Sequence, residues 1–229
     1  MTYHQNISTF ISRLGISLLV LLFSWQGAQA QKVFVIEKDS IPLFRGFQLS
    51  FDLVGPAMLA LGDYGQYEGA FRLNLHDQWF PVIEAGLGKA ERHDEVTEIF
   101  YKATGPFFRA GIDFNVMRNK HSDNRIFVGV RYALATYKVD LERRDLPDPV
   151  WNWDSGFRID GASCSHHWAE IVFGIDAKIF GPLHLGWNVR YKRRLIHKDS
   201  EIGQAWYVPG FGINNSDRIG GNFNVIIDI

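Results

Sequence analysis

The sequence predicts an all-β protein, an eight-stranded antiparallel up-and-down transmembrane β-barrel with long extracellular loops and short periplasmic turns. Three observations predict this fold class. Apolar and polar residues alternate with a period of two from residue 44 onward. The links between the alternating segments are in turn long and short. Aromatic residues make up 14% of the chain and it holds 22 glycines, a composition typical of β-rich proteins rather than of disordered ones.

Residues 1–30 are predicted to be a secretory signal peptide. A polar start with Arg13 precedes the apolar run 14–23, and Ala28-Gln29-Ala30 supplies the small-x-small cleavage pattern. That run has roughly ten residues, whereas a membrane-spanning helix needs about 20. We therefore expect export, followed by a periplasmic N-terminal segment at 31–43 and an outer-membrane barrel domain at 44–229.

The alternation defines eight strands, which have the length that crosses a bilayer at a tilt near 45°. Each strand has apolar residues on one face and glycine or charged residues on the other. The eight segments are 46–53, 67–75, 83–88, 108–116, 126–134, 168–178, 183–192 and 221–229.

The lengths of the links support the same topology. The links after strands one, three, five and seven are long, and those after strands two, four and six are short. A barrel whose strands run up and down, with short turns at one end, gives this alternation, and a β-sandwich does not.

Volume indicates which face of the strands points outward. A soluble lipocalin-like barrel also has eight strands, but it buries its apolar face. The interior of an eight-stranded barrel has just enough room for its own side chains, and the apolar face here is rich in Phe, Leu, Tyr and Trp. We therefore expect the apolar face to contact lipid and the polar face to line a narrow lumen filled by side chains.

The polar face carries charges of both signs, and buried charges require partners. We expect a lumen charge network in which arginines pair with carboxylates. Its predicted members are Arg72, Glu84, Arg109, Asp113, Arg131, Glu170, Asp176 and Arg190.

Charge and cysteine content exclude several classes of function. A formal net charge of −1 gives no electrostatic case for a nucleic-acid partner. The single cysteine, Cys164, excludes an intramolecular disulfide framework and a zinc site built on several cysteines. His166 and His167 are adjacent and so lie on opposite faces of a strand. We predict no metal site and no cofactor.

A wide diffusion pore is also not expected, because aqueous pores use about 16–18 strands.

Five segments spread over the mature chain resemble a family of uncharacterised outer-membrane proteins from Bacteroidota. They are 52–56 (DLVGP), 62–68 (GDYGQYE), 119–125 (NKHSDNR), 173–178 (FGIDAK) and 206–210 (WYVPG). The resemblance implies an outer-membrane barrel in a Gram-negative envelope, similar in architecture to the small OmpA- and OmpX-type barrels. It implies no catalytic residues, because that family is a domain of unknown function.

One cluster resembles catalytic chemistry. Ser163, Ser165, His166, His167 and Glu170 lie within eight residues, and outer-membrane lipid A deacylases also use Ser, His and an acid. Strand geometry places His166 and Glu170 on one face and both Ser165 and His167 on the other. The cluster therefore fits either a weak hydrolase hypothesis or the rim of a loop entering strand six.

A basic run follows strand seven. Lys192, Arg193, Arg194 and Lys198 are expected at the extracellular end of the barrel, at the height of lipid A phosphates, which clustered cations bind well. The alternative is a solvated loop root beside Asp199 and Glu201.

The sequence thus favours a structural or loop-mediated interaction role over catalysis. The expected partners are outer-membrane lipid and lipopolysaccharide, with an extracellular ligand or an envelope protein as a candidate partner of the loops. The alternatives are a lipid A-modifying hydrolase and a soluble lipocalin-like binding barrel. The loops also carry aromatic residues that could either form a contact surface or pack on themselves, namely Trp151, Trp153, Phe157, Trp206 and Tyr207.

Overall fold

The computed structural model describes residues 42–143, 156–198 and 205–229. The predicted signal peptide, nearly all of the predicted segment 31–43, and Trp151 and Trp153 lie outside these residues. The described elements are β1 (Phe44–Asp52), α1 (Val54–Leu61), β2 (Tyr64–Leu75), β3 (Trp79–Asp94), β4 (Ile99–Asn115), β5 (Arg125–Arg143), β6 (Phe157–Phe180), β7 (Leu183–Lys198), β8 (Tyr207–Val208), β9 (Gly212–Ile213) and β10 (Asp217–Asp228).

Eight of these strands form a closed antiparallel barrel in the order β1-β10-β7-β6-β5-β4-β3-β2. The ring closes where β1 pairs with β10, from Gln48 opposite Asp228 to Asp52 opposite Asn224. The two remaining strands, β8 and β9, pair with each other. The predicted eight-stranded up-and-down barrel is confirmed. In the part of the chain that the structure describes, no helix has the length and apolar character needed to cross a membrane.

Three links join strands at the end of the barrel that we call the turn end. Residues 76–78, 116–124 and 181–182 form them, as the short links in the sequence predict. Gly181 adopts φ +53°, a left-handed conformation that glycine adopts without steric penalty, so β6 and β7 are joined by two residues.

The opposite end, which we call the extended end, differs from the prediction. Two of the expected long loops are largely strand: β3 and β4 continue until only residues 95–98 separate them, and β5 runs to Arg143 before β6 begins at Phe157. The link after strand one contains α1. Its first turn is held by Asp52, whose carboxylate accepts the N–H groups of Val54 (3.2 Å) and Gly55 (2.8 Å).

The alternation changes phase partway along the strands. On β5 the outward positions are apolar from Val128 to Leu134 and become polar at Lys138 and Glu142. The inward positions change from charged to apolar: Arg131 is followed by Ala133 and Ala135, and then by Tyr137 and Val139, which are both 2% exposed. β4 repeats the change, with Phe108 and Lys102 outward and Arg109 and Tyr101 inward. The barrel therefore has two stretches of opposite polarity.

The turn-end stretch carries an apolar outer band. Its side chains point away from the barrel and are at least one-third exposed. The band includes Ile83, Leu87, Phe108, Ile112, Val128, Val130, Tyr132, Ile171, Phe173, Ile175, Trp187, Val189 and Tyr191. Aromatic residues at its edges, as interface belts would have them, include Trp79 and Tyr67.

The extended-end stretch has an apolar interior instead. Residues 205–214 fold back into the barrel, and the β8–β9 hairpin fills the interior there with Tyr207, Val208 and Phe211, all 2% exposed or less. The hydroxyl of Tyr101 accepts the Tyr207 N–H at 3.1 Å and lies 3.3 Å from the Tyr207 carbonyl oxygen. We call residues 205–214 the plug.

Candidate functional site

The predicted lumen charges lie together inside the turn-end stretch. They come from six strands, β2 to β7, and each occupies an inward position of the period-two pattern. All are buried except Arg72, whose side chain is 13% exposed. The strand alternation puts these side chains in the lumen, and the register of the strands decides which of them meet.

Glu84 is the centre of the network. Its carboxylate accepts hydrogen bonds from Arg190 Nη1 at 2.6 Å, Arg109 Nη1 at 3.0 Å and Arg131 Nε at 3.1 Å. Three guanidinium groups therefore share one buried carboxylate. Such an arrangement is favourable only if further acids balance the cations.

Two further glutamates supply that balance on one side of Glu84. Glu170 Oε1 lies 2.9 Å from Arg109 Nε and accepts the Trp168 indole N–H at 2.6 Å. Glu68 lies 2.8 Å from Arg109 and 3.2 Å from Arg190. Glu68 was not among the predicted members, although it lies on β2 four residues before Arg72 and on the same inward face.

The aspartates bind the arginines nearer the turn end. Arg131 donates both terminal N–H groups to Asp113, at 2.6 and 3.0 Å, in the two-pronged geometry that favours arginine–carboxylate pairs. Arg72 bridges Asp113, at 3.1 Å, and Asp176, at 2.7 Å. The network is thus continuous from Glu170 to Asp176.

Aromatic rings and glycines complete the filling. The guanidinium carbon of Arg72 lies 4.6 Å from the centre of the Phe127 ring, and that of Arg109 lies 4.6 Å from the centre of Phe107. The two rings lie over Gly174 and Gly86, where an added Cβ would overlap them. A space of only about 10 Å³ remains among the network residues, about the smallest that holds one water molecule.

The plug closes the lumen toward the extended end. Arg109 Nη2 donates to the carbonyl oxygen of Gly210 at 2.7 Å, and Lys192 Nζ donates to the same oxygen at 2.7 Å. The charge network therefore holds the plug in place through its backbone.

A polar cluster closes the turn end. Asp77 accepts from Asn74 at 2.7 Å and contacts His121 at 2.8 Å and Arg45 at 3.3 Å. Partial burial by itself would raise the pKa of Asp77, but the hydrogen bonds from His121 and Asn74 and the charge of Arg45 outweigh it and lower that pKa below its ordinary value. Asp77 is thus a charged cap on the lumen.

The basic run after strand seven is divided by the strand alternation. Lys192 is 7% exposed and points into the barrel, which corrects its expected place in a surface cluster. Arg194 also points inward, and its Nη1 donates to Asn214 at 2.9 Å. Arg193 and Lys198 are exposed, and Arg193 pairs with Asp217 at 2.9 Å. The four residues do not form one cluster, because neighbouring residues of a strand face opposite ways.

The residues of the hydrolase hypothesis have other neighbours. Glu170 binds Arg109 and Trp168 as described above, and Trp168 lies between it and His166 along the strand. His166 Nδ1 instead lies 3.1 Å from the Tyr137 hydroxyl, and His167 Nδ1 lies 2.9 Å from the Tyr132 hydroxyl on the outer face.

Two other sequence features have interior positions. Cys164 is a free, buried thiol in the apolar interior of the extended end. Tyr207, one of the aromatic loop residues that could form a contact surface or pack inward, is buried in the plug, and Trp206 packs beside it against Tyr101. Within the described residues no group of three or more His, Cys, Asp or Glu is placed to hold a metal ion.

Comparisons with known proteins give a family and two distant structures. The family described as "Domain of unknown function (DUF6048)" matches residues 9–228. The crystal structure of Neisserial surface protein A is similar at a TM-score of 0.42 with 14% identity, over 81% of this chain and 99% of that one. That of CarO2 from Acinetobacter baumannii is similar at a TM-score of 0.41 with 11% identity, over 83% and 100% of the two chains. No curated protein sequence matches the chain significantly.

Proposed function

Because the chain belongs to the DUF6048 family, whose description assigns no role, we propose from its geometry that it is a small outer-membrane barrel. In this proposal the barrel is exported to the outer membrane of a Gram-negative envelope, does not conduct, and is a scaffold whose extended end contacts extracellular or envelope partners.

The observation that carries the proposal is the polarity of the turn-end stretch. Its exterior is an apolar band around the whole barrel and its interior is a network of buried ion pairs. Soluble monomers rarely expose an apolar patch of more than a few hundred Å². In a bilayer the same band contacts acyl chains, and the closed ring satisfies the backbone hydrogen bonds of the strands.

The change of polarity along the strands supports the same location. An outer face that becomes polar at Lys89, Lys102 and Lys138 matches the passage from hydrocarbon to water. β6 has 24 residues, and at about 3.3 Å per residue it is far longer than a tilted crossing requires. The remainder forms a rigid barrel wall in water, which supports an interaction role for the extended end.

A groove on that wall is the part of the surface that we propose for partner contact. It has a volume of about 560 Å³ on the polar outer face of β3 to β6. His93 is stacked on Phe100 with 4.0 Å between ring centres, and charges of both signs surround the pair. Aromatic and charged groups on a rigid support are typical of recognition surfaces.

Neither alternative role is favoured by the geometry. A soluble lipocalin-like barrel requires an apolar interior along its length, whereas the turn-end interior is charged. A hydrolase requires a nucleophile, a base and an orienting acid in contact, whereas Glu170 is bound by arginine and tryptophan. The proposed role is therefore non-catalytic.

Fractionation and bilayer recording test the proposal. We expect the expressed protein in the outer-membrane fraction, released by detergent but not by high salt. In planar lipid bilayers we expect no current above that of the protein-free bilayer, with a wide porin as the positive control for insertion and recording. Recovery in the soluble fraction would contradict the location, and stepwise currents would contradict the closed lumen.

A further inference from the structure

The barrel wall has a gap at one place, near the edge of the apolar band that faces the extended end. β1 ends at Asp52, where its last pairs are Phe51 with Gly69 and Asp52 with Asn224. Beyond these pairs no described strand lies between residues 64–68 of β2 and residues 217–223 of β10. α1 packs against both strands. We call this place the seam.

The surroundings of the seam are apolar. Tyr67 on β2 and Ile219 on β10 flank it, and their side chains are 54% and 71% exposed on the outer face. α1 has no charged residue and exposes Met58 and Leu61. An exposed apolar helix beside an apolar band indicates that lipid, rather than water, is the neighbour of the seam.

A cleft of about 110 Å³ lies at the seam. Its lining includes the outward-facing Ile219 and the α1 residue Met58, and also the inward-facing Lys192 and Tyr207. Because both faces of the wall contribute, the cleft leads from the outer surface to the interior. This volume suits a small polar group rather than a whole lipid.

Two cations face this cleft. Lys192 Nζ donates to the carbonyl oxygens of Gly210 and Phe211 at 2.7 and 3.3 Å, and an ammonium group has three N–H donors. Gly220 lies over it: a Cβ there would be 3.5 Å from Lys192 Cε. The absence of a side chain at Gly220 leaves the space beside the ammonium open.

Arg218 is the second cation. Its guanidinium has five N–H donors, and its hydrogen bonds to the Tyr64 hydroxyl and the Ile213 carbonyl oxygen are long, at 3.3 and 3.4 Å. Within the described residues no carboxylate lies at ion-pair distance from Arg218. It is thus available to bind an anion.

Asp52 also lines the cleft, but backbone groups occupy its carboxylate. Its oxygens accept the N–H groups of Val54 and Gly55, and that of Phe223 at 3.3 Å. The charged side chains left to bind a ligand in the cleft are therefore the two cations, and Gln66 and Asn222 are further polar groups of its lining.

We propose that the seam cleft binds the phosphate group of an outer-leaflet lipid. Lys192 and Arg218 contact the phosphate with charge-assisted hydrogen bonds, and the acyl chains lie along the apolar outer wall beside Ile219 and α1. This inference rests on the proposed membrane location, because only a barrel in a bilayer presents the seam to lipid.

The test measures lipid binding to the purified barrel in detergent micelles by native mass spectrometry. The probes are dioleoyl phosphatidic acid, dioleoylglycerol with the same acyl chains and no phosphate, and inorganic phosphate as a competitor. We expect phosphatidic acid to bind more tightly than dioleoylglycerol and to resist displacement by inorganic phosphate. The variants are Arg218→Gln, which removes one cation, and Gly220→Val, which fills the cleft.

Arg218→Gln should bind phosphatidic acid about tenfold more weakly, the loss expected for one hydrogen bond to a charged group. Gly220→Val should weaken binding by a similar factor, because its side chain occupies the space beside the Lys192 ammonium. Lys138→Gln, the same change of charge on the outer face of β5 across the barrel, should bind as wild type. Unchanged urea midpoints will show that the cleft variants are folded.

Several outcomes would overturn the inference: equal binding of dioleoylglycerol, wild-type binding by both cleft variants, or an equal loss in Lys138→Gln. Complete displacement by inorganic phosphate would identify a site for free phosphate and would contradict the proposal that the bound phosphate belongs to a lipid. Since binding in micelles does not depend on cellular location, its failure is distinct from a failure of the fractionation test.

Discussion

At the scale of the residue, the lumen is organised by carboxylates that each bind more than one guanidinium. Glu84 contacts three arginines, Asp113 contacts two and Glu170 contacts two. The network includes five acids and four arginines. Lys192, which Glu170 and Glu68 attract electrostatically, is the fifth cation, so that acids and cations are equal in number. Such a network tolerates burial because every charge has a partner, and it is sensitive to the loss of any one charge.

The first prediction concerns Glu84. Glu84→Gln keeps the shape of the side chain and removes the charge that Arg109, Arg131 and Arg190 share. We expect the free energy of unfolding to fall by about 3–5 kcal/mol, the range for breaking a buried ion pair. Urea titration of the barrel in lipid vesicles measures it.

Glu91→Gln is the matched control, because Glu91 is exposed on the same strand, and its effect should stay within about 0.5 kcal/mol. A similar, small effect of both substitutions would show that the network does not stabilise the barrel.

At the scale of the element, each long strand is two strands of opposite polarity joined end to end. β5 exposes the apolar Val128 and Val130 on its outer face, and packs Tyr137 and Val139 inward beyond them. The apolar side chains of the plug pack against this second stretch, and the Gly210 backbone of the plug contacts the charge network. Strand extension and plug therefore stabilise each other, and we expect them to fold as a unit.

The second prediction tests this coupling. Tyr137→Ala removes a buried ring from the apolar interior of the extended end, and we expect a loss of about 3–5 kcal/mol, as for other buried aromatic residues. Lys138→Ala, the next residue and exposed on the outer face, should change stability by less than about 0.5 kcal/mol.

Amide hydrogen exchange supplies the second readout. Protection of the backbone of β8 and β9 should decrease in Tyr137→Ala and not in Lys138→Ala. If Tyr137→Ala leaves the protection of β8 and β9 unchanged, the plug does not depend on the strand extension.

At the scale of the whole molecule, the proposed membrane location has one closed sheet in two solvents, lipid and water. Around the turn-end stretch the barrel is inverted, with charges inside and apolar side chains outside. Around the extended end it has the ordinary arrangement of a soluble protein. The level at which the polarity reverses, between Leu134 and Lys138 on β5, marks the expected position of the bilayer surface.

The third prediction places a charge on either side of this level. Val130 lies in the middle of the apolar stretch of β5, and Val130→Arg should destabilise the barrel in phospholipid vesicles by about 2–4 kcal/mol. Thr136→Arg places the same side chain outward above the band, where the effect should be about 0–1 kcal/mol.

Equilibrium unfolding in vesicles measures both variants. Equal effects of the two substitutions would contradict the assignment of the band to the hydrocarbon of a bilayer, and so would a neutral Val130→Arg.

The sequence by itself determined the class of fold, the number of barrel strands, the end that carries the short turns and the inward position of the eight predicted charges. All of these follow from a local period of two, which a single chain displays without reference to its partners. The alternation also predicts an inward position for Lys192, although the basic run around it suggested a surface cluster.

Only the tertiary structure decided the rest. The alternation predicts that the fifth strand ends at Leu134, because the apolar residues change from the outer to the inner face there. The strand itself continues to Arg143. The pairing of Glu68 with Arg109, the return of the plug into the lumen, and the seam at Asp52 depend on which residues closure brings together from strands far apart in the chain. Sequence periodicity records which way a side chain points, whereas its partner across the lumen is set by strand register and ring closure.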